Sequence, residues 1–359
     1  MARVHQFVPT FEPGAVGAHM RAARGVLRDA GYESEIFAAE VHPAFSSEGA
    51  MAYGDYGRRV AARADDRLVY HLAIGSPVAD FVGARQEPLI VDHHNLTPLR
   101  YLAGWEPVAA GGVLWGRRQL DKLAPRAALG IGDSTFNADE LVDAGYPRTT
   151  VVPILLEPVA STDPDPALAT RLAAGTTGAR WLFVGRLAPN KAQHDVVKAF
   201  AAYRRFHDPG AHLDLVGGSS SVLYTTALRC FVADLGLDAA VNLAGGVSAS
   251  ELAAYYEAAD VFVVLSEHEG FCVPVLEAMQ HRVPVVAYGA AAVPETLANA
   301  GLVLDVKDPC TVAAGVARVV RDDALRAQLI AAGTQRRRDF DLDHTGPAFV
   351  AAVESVPVP

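Results

Sequence analysis

The sequence predicts an α/β protein of two doubly wound domains, each a parallel sheet covered by helices on both faces. Three observations lead there. Short apolar runs alternate with longer segments of helical period along the chain, the pattern of strands buried on both faces and joined by crossover helices. The alternation is interrupted at residues 157–166 (EPVASTDPDP), which pack three prolines and three acids into ten positions, the composition of a linker. With 359 residues, the chain is long enough for each half to bury its own core.

In the first half, strands are expected at residues 3–8, 67–74, 88–92, 127–132 and 149–154, with helices notably at 17–30 and 137–144. Gly145 suits the left-handed position that closes the second helix. Beyond the linker, strands are expected at 180–184, 213–216, 241–244, 261–265, 283–287 and 302–304, with the clearest helix at 250–259. The domains expected are therefore 1–157 and 158–343. No short-period repeat or low-complexity tract competes with that division.

Composition narrows the partners. Hydrophobic residues make up 51% of the chain and charged residues 20%, which places it among folded proteins rather than disordered ones. A formal net charge of −10 argues against a general nucleic-acid or anionic-membrane surface. Cys230, Cys272 and Cys310 form no CxxC pair, so a reducing compartment without structural zinc is expected. The start, MARVHQFVPTF, lacks the charged and apolar regions of a signal peptide. No run reaches the ~18 apolar residues of a membrane span. The expectation is a cytoplasmic protein.

The densest candidate site is Ser266–Glu277 (SEHEGFCVPVLE). An apolar strand runs into a loop holding Glu269 and Gly270, and Pro274 suits the first turn of the helix that follows. Ligands of doubly wound sheets sit outside the carboxyl ends of strands. Free amides at a helix start attract phosphate, and carboxylates accept hydrogen bonds from sugar hydroxyls. A first-turn acid also serves the helix dipole, so Glu277 alone says little. The second segment, Phe183–Lys191, ends a strand at Gly185 and delivers Arg186 and Lys191 into the next loop. Arg grips phosphate with a planar fork and Lys adds a point charge.

Weaker features complete the inventory. Gly217 and the Gly246-Val247 turn follow strands and suit close backbone approach to a nucleotide, although tight turns explain them equally well. Glu295 follows Pro294 as another first-turn acid, and Gly14 and Gly17 open the first helix. His71, His93 and His94 lie at strand ends. No carboxylate spacing completes a metal site around the adjacent pair, and satisfied structural histidines are expected at His71 and His93.

These residues resemble the retaining GT-B glycosyltransferases of family four, the group 1 glycosyl transferases. Glu269–Glu277 resembles that family's E-x7-E signature, and the likeness extends from Gly185–Lys191 through Gly246–Asp260 to Pro294-Glu295. In the first half it is looser: Gly14 and Gly17 resemble the glycine loop, His94 a sugar-facing histidine, and Ser134-Thr135-Phe136 a serine-containing turn.

The resemblance implies two Rossmann-like domains facing each other across a cleft, with a C-terminal helix in 344–359 returning to the first. It implies that Arg186 and Lys191 bind a diphosphate, Glu277 the ribose and Glu269 the transferred sugar. Backbone amides of Gly270, Phe271, Cys272 and Val273 would assist, and main-chain atoms at Gly217 and Val247 would edge the base. Cys272 stands where the family often has glycine. A nucleoside diphosphate sugar would be co-substrate, with no metal or other cofactor. The acceptor, whether saccharide, lipid-linked or small molecule, stays open, as do the sugar and nucleotide. The mechanism usual in this family is a front-face displacement in which a phosphate oxygen helps deprotonate the acceptor. Rival functions are a sugar-nucleotide epimerase, a phosphorylase, a non-catalytic donor-binding subunit and a metal-dependent transferase of another fold.

Overall fold

The computed structural model describes residues 2–157, 162–175 and 177–359. Residues 158–161 of the expected linker lie outside that description. The chain divides into two compact units, the first made of Met1–Leu99, Pro107–Pro158 and Asp339–Pro359, the second of Arg100–Glu106 and Val159–Arg338.

The first unit is built on seven strands: β1 (Val4–Phe11), β2 (Ile36–Val41), β3 (Met51–Ala52), β4 (Arg67–Leu72), β5 (Leu89–His93), β6 (Ala127–Gly132) and β7 (Thr149–Val151). They form one parallel sheet in the order β3-β2-β1-β4-β5-β6-β7. Every residue of β4 and β5 is buried, which is why both read as continuous runs. The sequence reading missed β2, whose apolar start at residues 36–39 is short and whose second half is exposed, and β3, which is only two residues long.

Strand order reverses between β1 and β4, so the connections leave in opposite directions there. The C-terminal helix Leu342–Glu354 buries Phe349 and Val353 in one cluster with Val4, Ala22, Leu27 and Ile90. The division falls at Asp339, earlier than the expected 343/344 boundary, and Phe340 is buried at the approach to that helix. Gly17 in the first helix, Ala15–Asp29, is required by packing: a Cβ there would meet the Glu12 carbonyl oxygen at 1.9 Å.

The second unit carries β8 (Arg180–Val184), β9 (His212–Val216), β10 (Val241–Gly245), β11 (Val261–Val264), β12 (Val285–Tyr288) and β13 (Gly301–Leu304), ordered β10-β9-β8-β11-β12-β13. Here too all pairings are parallel. The reversal falls between β8 and β11. Trp181, Phe183, Phe200, Leu213 and Phe262 fill the core around it. Ser248 and Glu251 cap the helix Ala249–Ala258 reciprocally, a local signal that fixes its start. The grouping of Arg100–Glu106 with this unit was not expected; the Ser221 hydroxyl donates to the Trp105 carbonyl at 2.9 Å and the Ser220 hydroxyl to Glu106 at 3.0 Å.

Candidate functional site

The loops after β8 and β11 leave the sheet where the strand order reverses, the place where an open α/β sheet forms a crevice for ligands. After β8 the chain makes a single 3-10 turn, Pro189–Lys191, before the helix Gln193–Phe206. The Glu267 amide donates to the Asn190 carbonyl at 2.8 Å, and the Asn190 side chain donates to the His268 carbonyl at 3.1 Å. These bonds hold the two loops together and set the side chains that follow.

Lys191 Nζ donates to Glu269 Oε2 at 2.5 Å, with side-chain exposures of 19% and 7%. The structure thus brings together two of the residues singled out in the sequence, one a cation and one a carboxylate, and each compensates the other's lost hydration. Arg186 is exposed, and its guanidinium has no carboxylate partner among the described residues; its carbonyl anchors the Gln193 side chain at 2.8 Å. The loop after β11 is fixed from behind, where the Thr296 hydroxyl donates to the Phe271 carbonyl at 2.6 Å.

Cys272 adopts φ 75° as the N-cap of the helix Val273–Gln280. That left-handed position explains the strain of a non-glycine residue there. Burial pushes its thiol well above the ordinary range, with the Glu269 carboxylate adding to the effect. Glu277 lies one turn into the same helix and accepts from the Tyr256 hydroxyl at 2.7 Å. Loss of solvation raises its carboxyl pKa, and the Tyr256 bond opposes that rise. Tyr256 is itself stacked on His281, ring centroids 5.0 Å apart.

Gly217 and Val247 follow β9 and β10, one strand and two strands out from β8. Gly217 has φ 144°, and a Cβ on it would meet the Gly185 carbonyl oxygen at 2.0 Å, so glycine is required for the two turns to pass. Glu295 is exposed on the short helix Val293–Leu297, and its carbonyl accepts from Arg336 at 2.8 Å. The sequence reading passed over Lys307, which bonds Asp195 at 2.5 Å and also pairs with Glu267. Glu267 is therefore not the solvated loop acid it resembles in isolation.

The first unit holds a different cluster at its own reversal point. His19 accepts from the Leu155 amide at Nδ1 (2.9 Å), so its Nε2 carries the proton given to Asp92 at 2.9 Å. Gln6 donates its amide to the Met20 carbonyl, leaving its oxygen to accept from His71 Nε2 at 2.9 Å. His71 Nδ1 then takes its hydrogen from His94 Nε2, 2.9 Å away, while His94 Nδ1 donates to Asp133 at 3.0 Å. The pattern needs one proton more than three neutral imidazoles carry. Burial opposes a charge on His94, but the Asp133 and Asp92 carboxylates outweigh it and push its pKa up to about 9. Burial carries His71 well below its ordinary value.

His94 is therefore a buried imidazolium, its side chain 1% exposed and both nitrogens engaged within the first unit. A sugar-facing role would require one of those bonds to open. His93 gives Nε2 to Glu140 at 2.9 Å, and its Nδ1 has no partner among the described residues. His19, His71, Asp92 and His94 place one ligand atom each within 4.8 Å of one another, a set that could hold a cation. The tautomer of His19 removes it from that set, because its Nε2 lone pair is taken by the proton. Sequence spacing had supplied no carboxylate for the histidine pair; Glu140 lies against His93, and Asp133 and Asp92 against His94.

Two doubly wound parallel sheets, each with a reversal point that gathers charged side chains, define the GT-B fold class. Over 98–99% of the chain the fold is shared with solved structures at 17% identity. These include sucrose-phosphate synthase from Thermosynechococcus elongatus (TM-score 0.80, 99% of that chain) and Anabaena HepE in complex with UDP and glucose (TM-score 0.77, 100% of that chain). Residues 169–336, within the second unit, match the family described as Glycosyl transferases group 1.

Among curated relatives, the chain is 32% identical over 273 residues to a D-inositol 3-phosphate glycosyltransferase of Acidothermus cellulolyticus, covering 72% of this chain and 60% of that one. It is 35% identical over 161 residues to a GDP-mannose-dependent alpha-(1-6)-phosphatidylinositol monomannoside mannosyltransferase of Mycobacterium tuberculosis, covering 42% and 41%. The chain thus spans less than two thirds of these relatives' length. No helix among the described residues is long and apolar enough to cross a membrane.

Proposed function

We propose that this protein is a retaining hexosyltransferase that moves a sugar from a UDP- or GDP-linked carrier to an acceptor hydroxyl without a metal ion. The observation that carries the reading is the Lys191–Glu269 pair at the crevice between β8 and β11, with Arg186, which has no carboxylate partner among the described residues, on the same loop as Lys191. Cleaving a glycosyl phosphate builds positive charge on the sugar ring and negative charge on the departing diphosphate. Two cations suit the leaving group, and a carboxylate suits the ring and its hydroxyls. Glu277, set one turn into the next helix, is assigned to the ribose. The names of the relatives support a nucleotide-sugar donor, including GDP-mannose. Localisation is proposed to be cytoplasmic.

In this mechanism Lys191 shifts from Glu269 toward the β-phosphate as charge builds there, which frees the carboxylate to accept from sugar hydroxyls. No carboxylate is assigned as a covalent nucleophile, so Glu269 and Glu277 are not a glycosidase pair. The test has two parts. A thermal-shift panel of nucleoside diphosphates and their sugars should give a selective rise, as a ligand of the native state must. Product formed with the selected donor in excess EDTA should then keep the donor's anomeric configuration by nuclear magnetic resonance. An inverted anomer, or activity that returns only with manganese, overturns the reading. Conversion without acceptor, or release of sugar phosphate by free phosphate, would instead identify an epimerase or a phosphorylase.

A further inference from the structure

Beside the candidate donor crevice the second unit holds a cavity of 460 Å³ that the sequence reading did not anticipate. Pro189 and Glu267 form the wall it shares with the crevice: Pro189 opens the turn that ends at Lys191, and Glu267 lies two residues before Glu269. The rest includes four aromatic side chains. Trp105 and Tyr224 meet edge to face at 5.5 Å, and Tyr101 and Phe231 also line the cavity. Tyr224 is buried, and its hydroxyl is bonded to His194 at 2.9 Å and Gln193 at 3.2 Å, so its polar end is satisfied and its ring faces the cavity wall. Trp105 remains 36% exposed at the opening, and one turn before Ala227 the helix Val222–Asp234 shows Leu223 at 58%.

One cation at this cavity lacks a counter-charge. Lys198 is paired with Asp195 at 2.9 Å. Arg100 lies over the Tyr101 ring at 4.6 Å and donates to its hydroxyl at 3.1 Å, with no carboxylate partner among the described residues. Aromatic walls favour a flat apolar group by area and ring geometry, and a bare guanidinium favours an anion.

We infer that this cavity is a binding site for an aryl group bearing an anionic substituent, and that it seats the aglycone of the acceptor. The second clause rests on the proposed transferase activity; the first does not. The wall shared with the Lys191 turn is what makes an acceptor the fitting occupant, since a group held there lies next to the loops that carry Lys191 and Glu269.

The probe is 2-naphthyl phosphate, titrated by calorimetry into the full chain, with 2-naphthol and inorganic phosphate alongside. Saturable binding of the naphthyl phosphate is expected, weakened about tenfold or more by Trp105→Ala and by Phe231→Ala, a loss of ~1.4 kcal/mol. Arg100→Gln should weaken naphthyl phosphate while leaving 2-naphthol unchanged. Nucleoside diphosphate binding should persist in all three variants. Competition between naphthyl phosphate and the nucleotide, binding indifferent to Trp105→Ala and Phe231→Ala, or no binding at all overturns the site. Given a working donor, Phe231→Ala should raise KM for an aryl glycoside acceptor and not for its methyl counterpart. Equal effects on both remove the aglycone role while leaving the site itself to the calorimetry.

Discussion

The two reversal points of this protein handle buried charge in opposite ways. In the second unit, Lys191 and Glu269 satisfy each other with a single bond, and Arg186 is exposed with no carboxylate partner among the described residues. In the first unit, His19, His71, Asp92, His94 and Asp133 form a closed chain in which each imidazole nitrogen has a described partner. A site meant to receive an anion must leave positive charge unspent. A network whose imidazole nitrogens are all engaged fixes side-chain orientation instead. The contrast teaches that clustered charge is not itself a mark of a ligand site; unsatisfied charge at a partly open edge is.

The largest effect that would break the comparison is expected at Lys191. Lys191→Ala removes a leaving-group cation and strands Glu269, so turnover should fall by about tenfold or more for each ~1.4 kcal/mol lost. Stability should fall with it, by roughly 3–5 kcal/mol if Glu269 stays ionised. Arg186→Ala should cost similar turnover yet change stability by no more than about 0.5 kcal/mol. Steady-state rates and chemical denaturation on both variants separate these outcomes; equal stability losses would show that the two cations are not differently engaged.

The histidine cluster is sharpened by pH. A native pKa near 9 for His94, above its ordinary 6.5, means that the folded chain keeps a proton the unfolded chain gives up. Its contribution to stability is complete below pH 6.5 and disappears as pH rises through about 9. Asp133→Asn should remove a charged hydrogen bond worth ~1.5–3 kcal/mol at neutral pH and flatten the decline between pH 6.5 and 9. Denaturation midpoints across that range test it, and a wild-type protein of constant stability there would dismiss the imidazolium.

Glu277 offers a smaller effect of opposite sign. Burial raises its pKa, so the native state favours its protonated form and ionisation at neutral pH costs stability. Glu277→Gln keeps an acceptor for Tyr256 and should raise the thermal midpoint of the free protein, while weakening nucleoside diphosphate binding by ~1.5–3 kcal/mol. A variant with unchanged nucleotide affinity would remove the ribose role. The smallest effect concerns thiols. Cys230 and Cys310 are exposed and Cys272 is buried with a raised pKa, so two thiols should react quickly with a disulfide reagent and the third only on unfolding.

What the sequence determined by itself was whatever depends on neighbours along the chain. β8 is expected at 180–184 and found at Arg180–Val184, because a strand buried on both faces must be apolar throughout. The loops bearing Arg186, Lys191, Glu269 and Glu277 were legible for the same reason: strand, turn and helix start are each written within a dozen residues. Tertiary structure decided the rest. His19, His71, Asp92, His94 and Asp133 come from segments scattered between the first helix and the turn after β6, and only parallel strand register sets them side by side. The partnership of Lys307 with Asp195 and Glu267, and the aromatic cavity around Tyr224, likewise depend on separate segments meeting. Local pattern measures how each segment buries itself. Proton position, charge pairing and cavity shape are set by which segments the fold brings within hydrogen-bond reach, and no local pattern encodes that distance.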